Sequence, residues 1–275
     1  MAFDQEWPTR RDGTLHLAVV DSETTGIDPE MDEVICLSVL CVRVDRLDGR
    51  FLGVVGSEVE WQEPDFYFEE AQAITEVPMS SLAGRRFDRA KVDAPLAQTD
   101  LVVAHNAVFE WAFLTPLFPA LGQLRWACSL DDIDWSSEHN VSHPLIANIL
   151  EACGHEPHDG SPADACNALV KVLSQPLPRS SETGFCRLIA ASARVTVVCD
   201  VPETELTAHA GLQALGFELQ DGYWTAVTED AAAAFVLETR VIDLAVDDQA
   251  FEKLLMRRVD AVNRFGSTDK RSPPS

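Results

Sequence analysis

One stretch constrains this chain more than any other: Leu15 to Val20 (LHLAVV), followed at once by Asp21-Ser22-Glu23-Thr24-Thr25-Gly26. The apolar run reads as a buried strand. Side chains i and i+2 of a strand share a face, so Asp21 and Glu23 project the same way. Two carboxylates held this close repel unless a cation lies between them. Hard divalent ions such as magnesium and manganese take oxygen ligands of this kind. Alone, the pattern is equally an acidic strand end leading into a Thr-Thr-Gly turn. The rest of the chain has to decide between these readings.

The segments that follow describe a mixed α/β sheet. Glu33 to Val44 is rich in Val, Ile, Leu and Cys and suits a buried strand. Asp48-Gly49 signals a hairpin turn, and Phe51 to Trp61 reads as a third, antiparallel strand. Ala71 to Ala83 is expected as a loop with a short helix, and Phe87 to Gln98 as a helix. Leu101 to Ala104 (LVVA) is a short buried strand, expected parallel to the first, and Leu124 to Cys128 is another.

Directly after LVVA comes His105-Asn106-Ala107-Val108-Phe109-Glu110, opening a helix with Glu110 in its first turns. Ligand sites of open α/β sheets gather at strand carboxyl ends, which places this carboxylate near Asp21. An acid near a helix N-terminus is also favoured by the helix dipole alone. Ser142-His143-Pro144 is expected to cap a helix to about Cys153. Further on, Ser161 is a good N-cap and Pro162 a good first residue for a helix to about Leu173, with Asp164 in its first turn. A histidine just upstream, His158, is a candidate proton acceptor, or a solvated surface residue.

Net charge is −24, with a pI near 4.5 and only four lysines. Nucleic-acid binders ordinarily present a basic footprint, so three accounts stay open. Metals on carboxylates and a few arginines could supply positive potential; the chain could be salt-adapted; or nucleic acid is not its partner. Two basic clusters stand out: Arg85, Arg86, Arg89 and Lys91, and the run Lys253, Arg257, Arg258, Arg264, Lys270 and Arg271. Each is a phosphate-contacting surface or a solvated face. Seven scattered cysteines without a C-x-x-C read as free thiols. With no bilayer-length apolar run and no signal-like N-terminus, the expectation is a soluble cytoplasmic protein with no membrane association.

Taken together, DSETTG, HNAVFE and the acidic helix near Asp164 resemble, in order and spacing, the three motifs of the DEDD superfamily of ribonuclease H-like 3′–5′ exonucleases. Within it the chain is most similar to the family of the DNA polymerase III epsilon subunit and ribonuclease T. The stretch WACSLDDIDW and the later PLPRS look closer still to a stand-alone bacterial subgroup with a small C-terminal domain. The resemblance implies a five-stranded mixed sheet flanked by helices, and an exonuclease acting on DNA or RNA 3′ ends, single-stranded for preference. It implies two divalent metal ions, Mg2+ or Mn2+, with Asp21, Glu23 and Asp164 as metal ligands. Glu110 stands where the family has aspartate, and His158 would be the general base.

Two departures from that pattern matter. Glu110 is one methylene longer than aspartate, and the family's histidine lies five residues before the third-motif aspartate. Here that position is Asp159, and His158 is one place further off. Either a looped-out residue keeps His158 usable, or the base is missing, which typically costs about 10²–10⁴ in rate. The alternative function is a weakened or inactive exonuclease-fold protein that binds or regulates.

The expected domain plan is an exonuclease-like unit at 14–176, a linker at 177–184 (Pro- and Ser-rich), a small α/β domain at 185–258 and a disordered tail at 259–275. Within the small domain, Asp221-Gly222 marks a hairpin whose Tyr223 and Trp224 either stack on a base or form its core. This domain is the expected docking point for a protein partner.

Overall fold

The structure is a computed structural model that describes residues 12–156, 161–201, 206–220, 222–247 and 255–266. They fall into two compact units, which divide after Ile189.

The first unit is built on strands β1 (Thr14–Thr24), β2 (Val34–Asp45) and β3 (Phe51–Trp61). Three helices follow: α1 (Glu69–Thr75), α2 (Met79–Leu82) and α3 (Arg89–Leu96). Strand β4 (Leu101–Ala104), helix α4 (Ala107–Leu117) and strand β5 (Arg125–Cys128) come next. Helices α5 (Trp135–His139), α6 (Ile146–Ala152), α7 (Pro162–Leu173) and the start of α8 (Gly184–Ala193) complete it. The five strands form one mixed sheet in the order β3-β2-β1-β4-β5. Pairing is antiparallel in β3-β2-β1 and parallel in β1-β4-β5. This is the ribonuclease H-like α/β arrangement.

β1 lies in the middle of the sheet, which is why its sequence stays apolar until Asp21. One face carries Leu15, Leu17 and Val19, beside Leu40, Val42 and Val44 of β2. The apolar stripe of α7 (Cys166, Leu169, Val170, Leu173) covers that face. Leu17 and Leu169 are almost wholly buried, so truncating either to alanine costs about 2–5 kcal/mol. The helix begins as its sequence demands. Ser161 accepts the Asp164 N–H at 3.3 Å, and Pro162 occupies the first position, where a missing N–H is harmless. α6 differs from expectation: it starts at Ile146 after an extended Leu145, without a Ser142 cap. α5 is an element the sequence did not announce; Asp134 caps it by accepting the Ser137 N–H at 2.9 Å.

Residues 177–184, expected as a linker, make a closed turn. Leu177 donates its N–H to the Glu182 carbonyl at 2.7 Å and accepts from the Ser181 N–H at 2.8 Å; Pro176 bridges Thr183. The reason is Leu177, an apolar residue in a polar run, which sits in the core of the first unit with Phe185 and Leu188 of α8.

In the second unit, strand β6 (Val195–Asp200) precedes helix α9 (Leu206–Ala214). Strands β7 (Glu218–Gln220) and β8 (Tyr223–Thr228), helix α10 (Ala231–Asp247) and strand β9 (Leu255–Val259) follow. The antiparallel sheet runs β7-β8-β6-β9. Its core holds Val195, Val197, Leu212, Phe217, Trp224 and Val241. Trp224 is buried and donates its indole N–H to His209 Nδ1 at 2.8 Å, so it belongs to the core rather than to an exposed stacking platform. β9 pairs Arg258 opposite Val197. Residues 260–266 continue as an ordered turn closed by Asp260 Oδ1, which accepts the Val262 N–H at 2.9 Å. Of the expected tail, 267–275 lie outside the described residues. No helix of the described residues is long and apolar enough to cross a membrane.

Candidate active site

Asp21 and Glu23 occupy the last residues of β1, where the strand outruns its parallel neighbour β4: pairing there ends at Val19 opposite Val103. Both are half-buried. Burial, with the charge of Glu23 added, pushes the Asp21 carboxyl up to about 7. Burial alone pushes Glu23 to about 7. Among the described ion pairs, none gives either acid a cationic partner.

Glu110 comes from the first turn of α4 and is only 6% exposed. Asn106 precedes that helix with φ 116°, a left-handed conformation costly outside glycine. It turns the chain sharply from β4 into α4. The Glu110 carboxylate accepts two hydrogen bonds from Ser22: the backbone N–H at 3.3 Å and the hydroxyl at 2.7 Å. Burial raises this carboxyl well above the ordinary range; the negative charges of Asp21 and Glu23 add to the rise, and the Ser22 bonds oppose it. The three acids therefore share one electrostatic site, although the longer Glu110 side chain rests on Ser22.

Asp164 stands half-buried in the first turn of α7. Two residues along the same helix, the Cys166 thiol reaches the Val19 carbonyl at 3.5 Å. That thiol is raised by burial and by the charges of Asp21 and Glu110. The first turn of α7 is thus anchored beside the end of β1. His158 and Asp159 lie outside the described residues.

The turn after β1 is rigidly made. Thr25 donates its N–H to the Glu33 carbonyl at 2.9 Å and its hydroxyl to Asp32 at 3.2 Å. Asp32 also accepts the Asp28 N–H at 2.9 Å. Gly26 leaves room for the Asp32 carboxylate: a Cβ there would lie 2.3 Å from it and would push that side chain aside.

Beside Glu23 opens an apolar cleft of about 440 Å³, walled by Gly26, Ile27, Phe68, Ile74, Thr75 and Phe109. Phe68 is 70% exposed, and Ile27 and Ile74 are more so. Tyr67 hydrogen-bonds the Thr75 hydroxyl, and its phenol is raised by burial and by the charge of Glu23. Sequence reasoning found none of these wall residues. Gly26 and Phe109 lay inside the first and second motifs, but the others come from loops and short helices whose apolar residues carry no periodic signal.

Chemically, the carboxylate oxygens of Asp21, Glu23 and Asp164 suit a hard divalent cation, and uncompensated charge at the first two calls for one. Among the described residues, no three His, Cys, Asp or Glu side chains form a grouping that could hold a metal ion.

The sheet order and the helices over it define a ribonuclease H-like α/β fold. Exonuclease I from Methylocaldum szegediense is similar, at 16% identity and a TM-score of 0.50 over 69% of this chain. This chain spans about half that protein's length, 48%. The zinc-bound E. coli exonuclease I–single-stranded DNA complex matches at 13% identity and a TM-score of 0.52, covering 87% of this chain and 72% of that one. The nuclease domain of 3′hExo, a DEDDh family member bound to rAMP, is a looser match at 15% identity and a TM-score of 0.44, covering 61% and 94%. No protein-family model matches the chain, and no curated protein matches its sequence.

Proposed function

We propose that this protein is a metal-dependent 3′–5′ exonuclease that removes nucleotides from single-stranded DNA or RNA ends. The observation that carries the reading is the convergence of Asp21, Glu23 and Glu110 at the end of β1, their carboxyls all raised, with an apolar cleft alongside. Asp21, Glu23 and Asp164 would hold two divalent ions, Mg2+ or Mn2+, as in the epsilon and ribonuclease T family that the motifs resemble. Such ions stabilise the charge that develops on a phosphodiester during hydrolysis. Glu110, tied to Ser22, fixes the end of β1 against α4 and adds a third carboxyl to the site. Phe68 and Phe109 offer aromatic faces to the terminal base, a sequence-tolerant form of recognition, and Ile74 adds apolar contact. His158 would accept the proton of the attacking water.

The second reading is a non-catalytic relative that binds or regulates. Its support is the Glu110 carboxylate engaged by Ser22.

The test is degradation of 5′-labelled single-stranded DNA and RNA oligomers with Mg2+, Mn2+ or a chelator, beside the Asp21→Ala variant. A metal-dependent ladder shortening from the 3′ end, absent in the variant, supports the enzyme. A folded protein that cuts nothing under any metal leaves the binding reading.

A further inference from the structure

The acids on β1 continue as a row across the sheet. Glu23 lies opposite Cys36 of β2, and Cys36 lies opposite Trp61 of β3. Residues paired this way share a face, so Trp61 stands on the same side as Glu23, two strand spacings away, roughly 10 Å. Over Trp61 lies the Arg85 guanidinium, 6.0 Å from the ring centroid.

Arg85 differs from its basic neighbours. Arg86 donates to the Glu63 carbonyl at 2.8 Å and the Arg85 carbonyl at 3.1 Å. Arg89 donates to the Leu117 carbonyl at 2.7 Å, and Lys91 is paired with Glu60 at 2.8 Å. The Arg85 backbone is pinned at both ends, its N–H to the Leu82 carbonyl at 3.0 Å and its carbonyl to the Glu63 N–H at 3.1 Å. Its exposed guanidinium lies over the Trp61 ring and takes part in none of the described hydrogen bonds or ion pairs. A guanidinium over an aromatic ring is drawn to the ring face and keeps its N–H donors free for an anion.

We propose that Arg85, held on Trp61, is a phosphate-binding residue that grips the nucleic-acid backbone at a linkage neighbouring the one to be cut. The inference rests on the exonuclease reading. Arg85 and Trp61 are not among the walls of the apolar cleft, so they meet the part of the strand that leaves it. In a chain of net charge −24, a cation on the same sheet face as the acids offers the backbone a foothold that the bulk surface denies.

The experiment measures binding of a 5′-fluorescein 20-mer of single-stranded DNA by anisotropy, in Ca2+ across a salt series. Wild type, Arg85→Ala, Arg85→Lys and the control Arg86→Ala are compared, with kcat/KM in Mg2+ for a dinucleotide and a 10-mer. Arg85→Ala is expected to weaken binding about tenfold and to lower the slope of log K against log salt by about 0.7. Its kcat/KM should fall at least fivefold more on the 10-mer than on the dinucleotide. Lysine restores part of the loss, and Arg86→Ala behaves as wild type. An unchanged salt slope in Arg85→Ala, or an equal loss on both substrate lengths, overturns the proposal while leaving the exonuclease reading intact. A wild type that neither binds nor cuts overturns the reading and this inference with it.

Discussion

Ser22 gives both its backbone N–H and its hydroxyl to one carboxylate, that of Glu110, at 3.3 and 2.7 Å. The contact spans 88 residues of sequence and ties the end of β1 to the first turn of α4. A glutamine at 110 keeps the shape and an acceptor oxygen while removing a buried charge that Asp21 and Glu23 oppose. Glu110→Gln is therefore expected to melt no lower than wild type at pH 8 in chelator, yet to lose at least about 10² in metal-dependent hydrolysis. Glu110→Ala leaves the Ser22 donors unpaired and should cost about 1–3 kcal/mol. Calorimetry with the labelled-oligomer assay checks both, and a fully active Glu110→Gln would remove this residue from the chemistry.

The raised carboxyls of Asp21 and Glu23 set a pH dependence. In the unfolded chain both titrate near 4; in the fold both titrate at about 7. Below pH 4 both are protonated in either state, and their favourable contribution is complete. Between pH 4 and 7 the unfolded chain gives up protons that the folded chain keeps, so stability of the metal-free protein falls as pH rises, then levels off. Mg2+ or Mn2+ should reverse the loss above pH 7, because an ion that binds only the folded state stabilises it by mass action. Asp21→Asn at pH 8 in chelator should raise Tm by about 2–4 °C for each kcal/mol relieved, and should abolish the metal-induced rise. Melting curves from pH 4 to 9 with and without metal test this; a metal-free stability that climbs between pH 4 and 7 contradicts it.

The strands, the parallel pairing of Leu101–Ala104 with β1 and the helix begun by Ser161 and Pro162 were legible because each rests on local signals: apolar runs, a hairpin pair, a cap. Asp21, Glu23 and Glu110 were legible as acids at strand and helix ends. The Ser22 contact was not, because nothing local says which side chain a carboxylate 88 residues away will meet. β9 escaped for a different reason. Its LMRRV is short, with two of its five residues charged, and it becomes a strand only by pairing with β6. Leu177 shows the converse, a polar run held by one buried leucine.

Gly49 tests the hairpin that the sequence did foresee. Its φ is +66°, and a Cβ there would stand 2.2 Å from the backbone nitrogen of Cys186 and 2.5 Å from Thr183 Oγ1. Thr183 meanwhile donates its hydroxyl to the Asp48 carbonyl at 3.0 Å. The obstruction is main chain, which cannot rotate aside as a side chain can. Gly49→Ala should therefore cost about 3 kcal/mol or more, from strain and overpacking together. Gly53→Ala is a useful contrast: it too has positive φ, at 142°, but open space around it. A smaller loss at 53 than at 49 in urea unfolding is the expected order. Equal losses would show that backbone angle alone sets the cost.

Phe68 offers the sharpest separation of binding from folding. It caps the start of α1 with no side-chain hydrogen bond and is 70% exposed, so little of the fold depends on its ring. Yet that ring forms part of the wall of the cleft beside Glu23, together with Phe109, whose ring packs tilted against Phe113 at 4.6 Å between centroids. Base–aromatic stacking is worth about 1–3 kcal/mol per base, which corresponds to roughly five- to 150-fold in affinity. Phe68→Ala should leave Tm within about 1 °C, as a surface substitution does, while raising KM for an oligomer at least fivefold. The effect should be similar for DNA and RNA and for all four terminal bases, because stacking reads a ring face rather than its edge. Phe68→Trp should restore binding, whereas Phe68→Leu should restore it only in part. Steady-state kinetics on oligomers that differ only in the 3′ nucleotide make the measurement. A KM unchanged in Phe68→Ala would show that the cleft does not hold the terminal base.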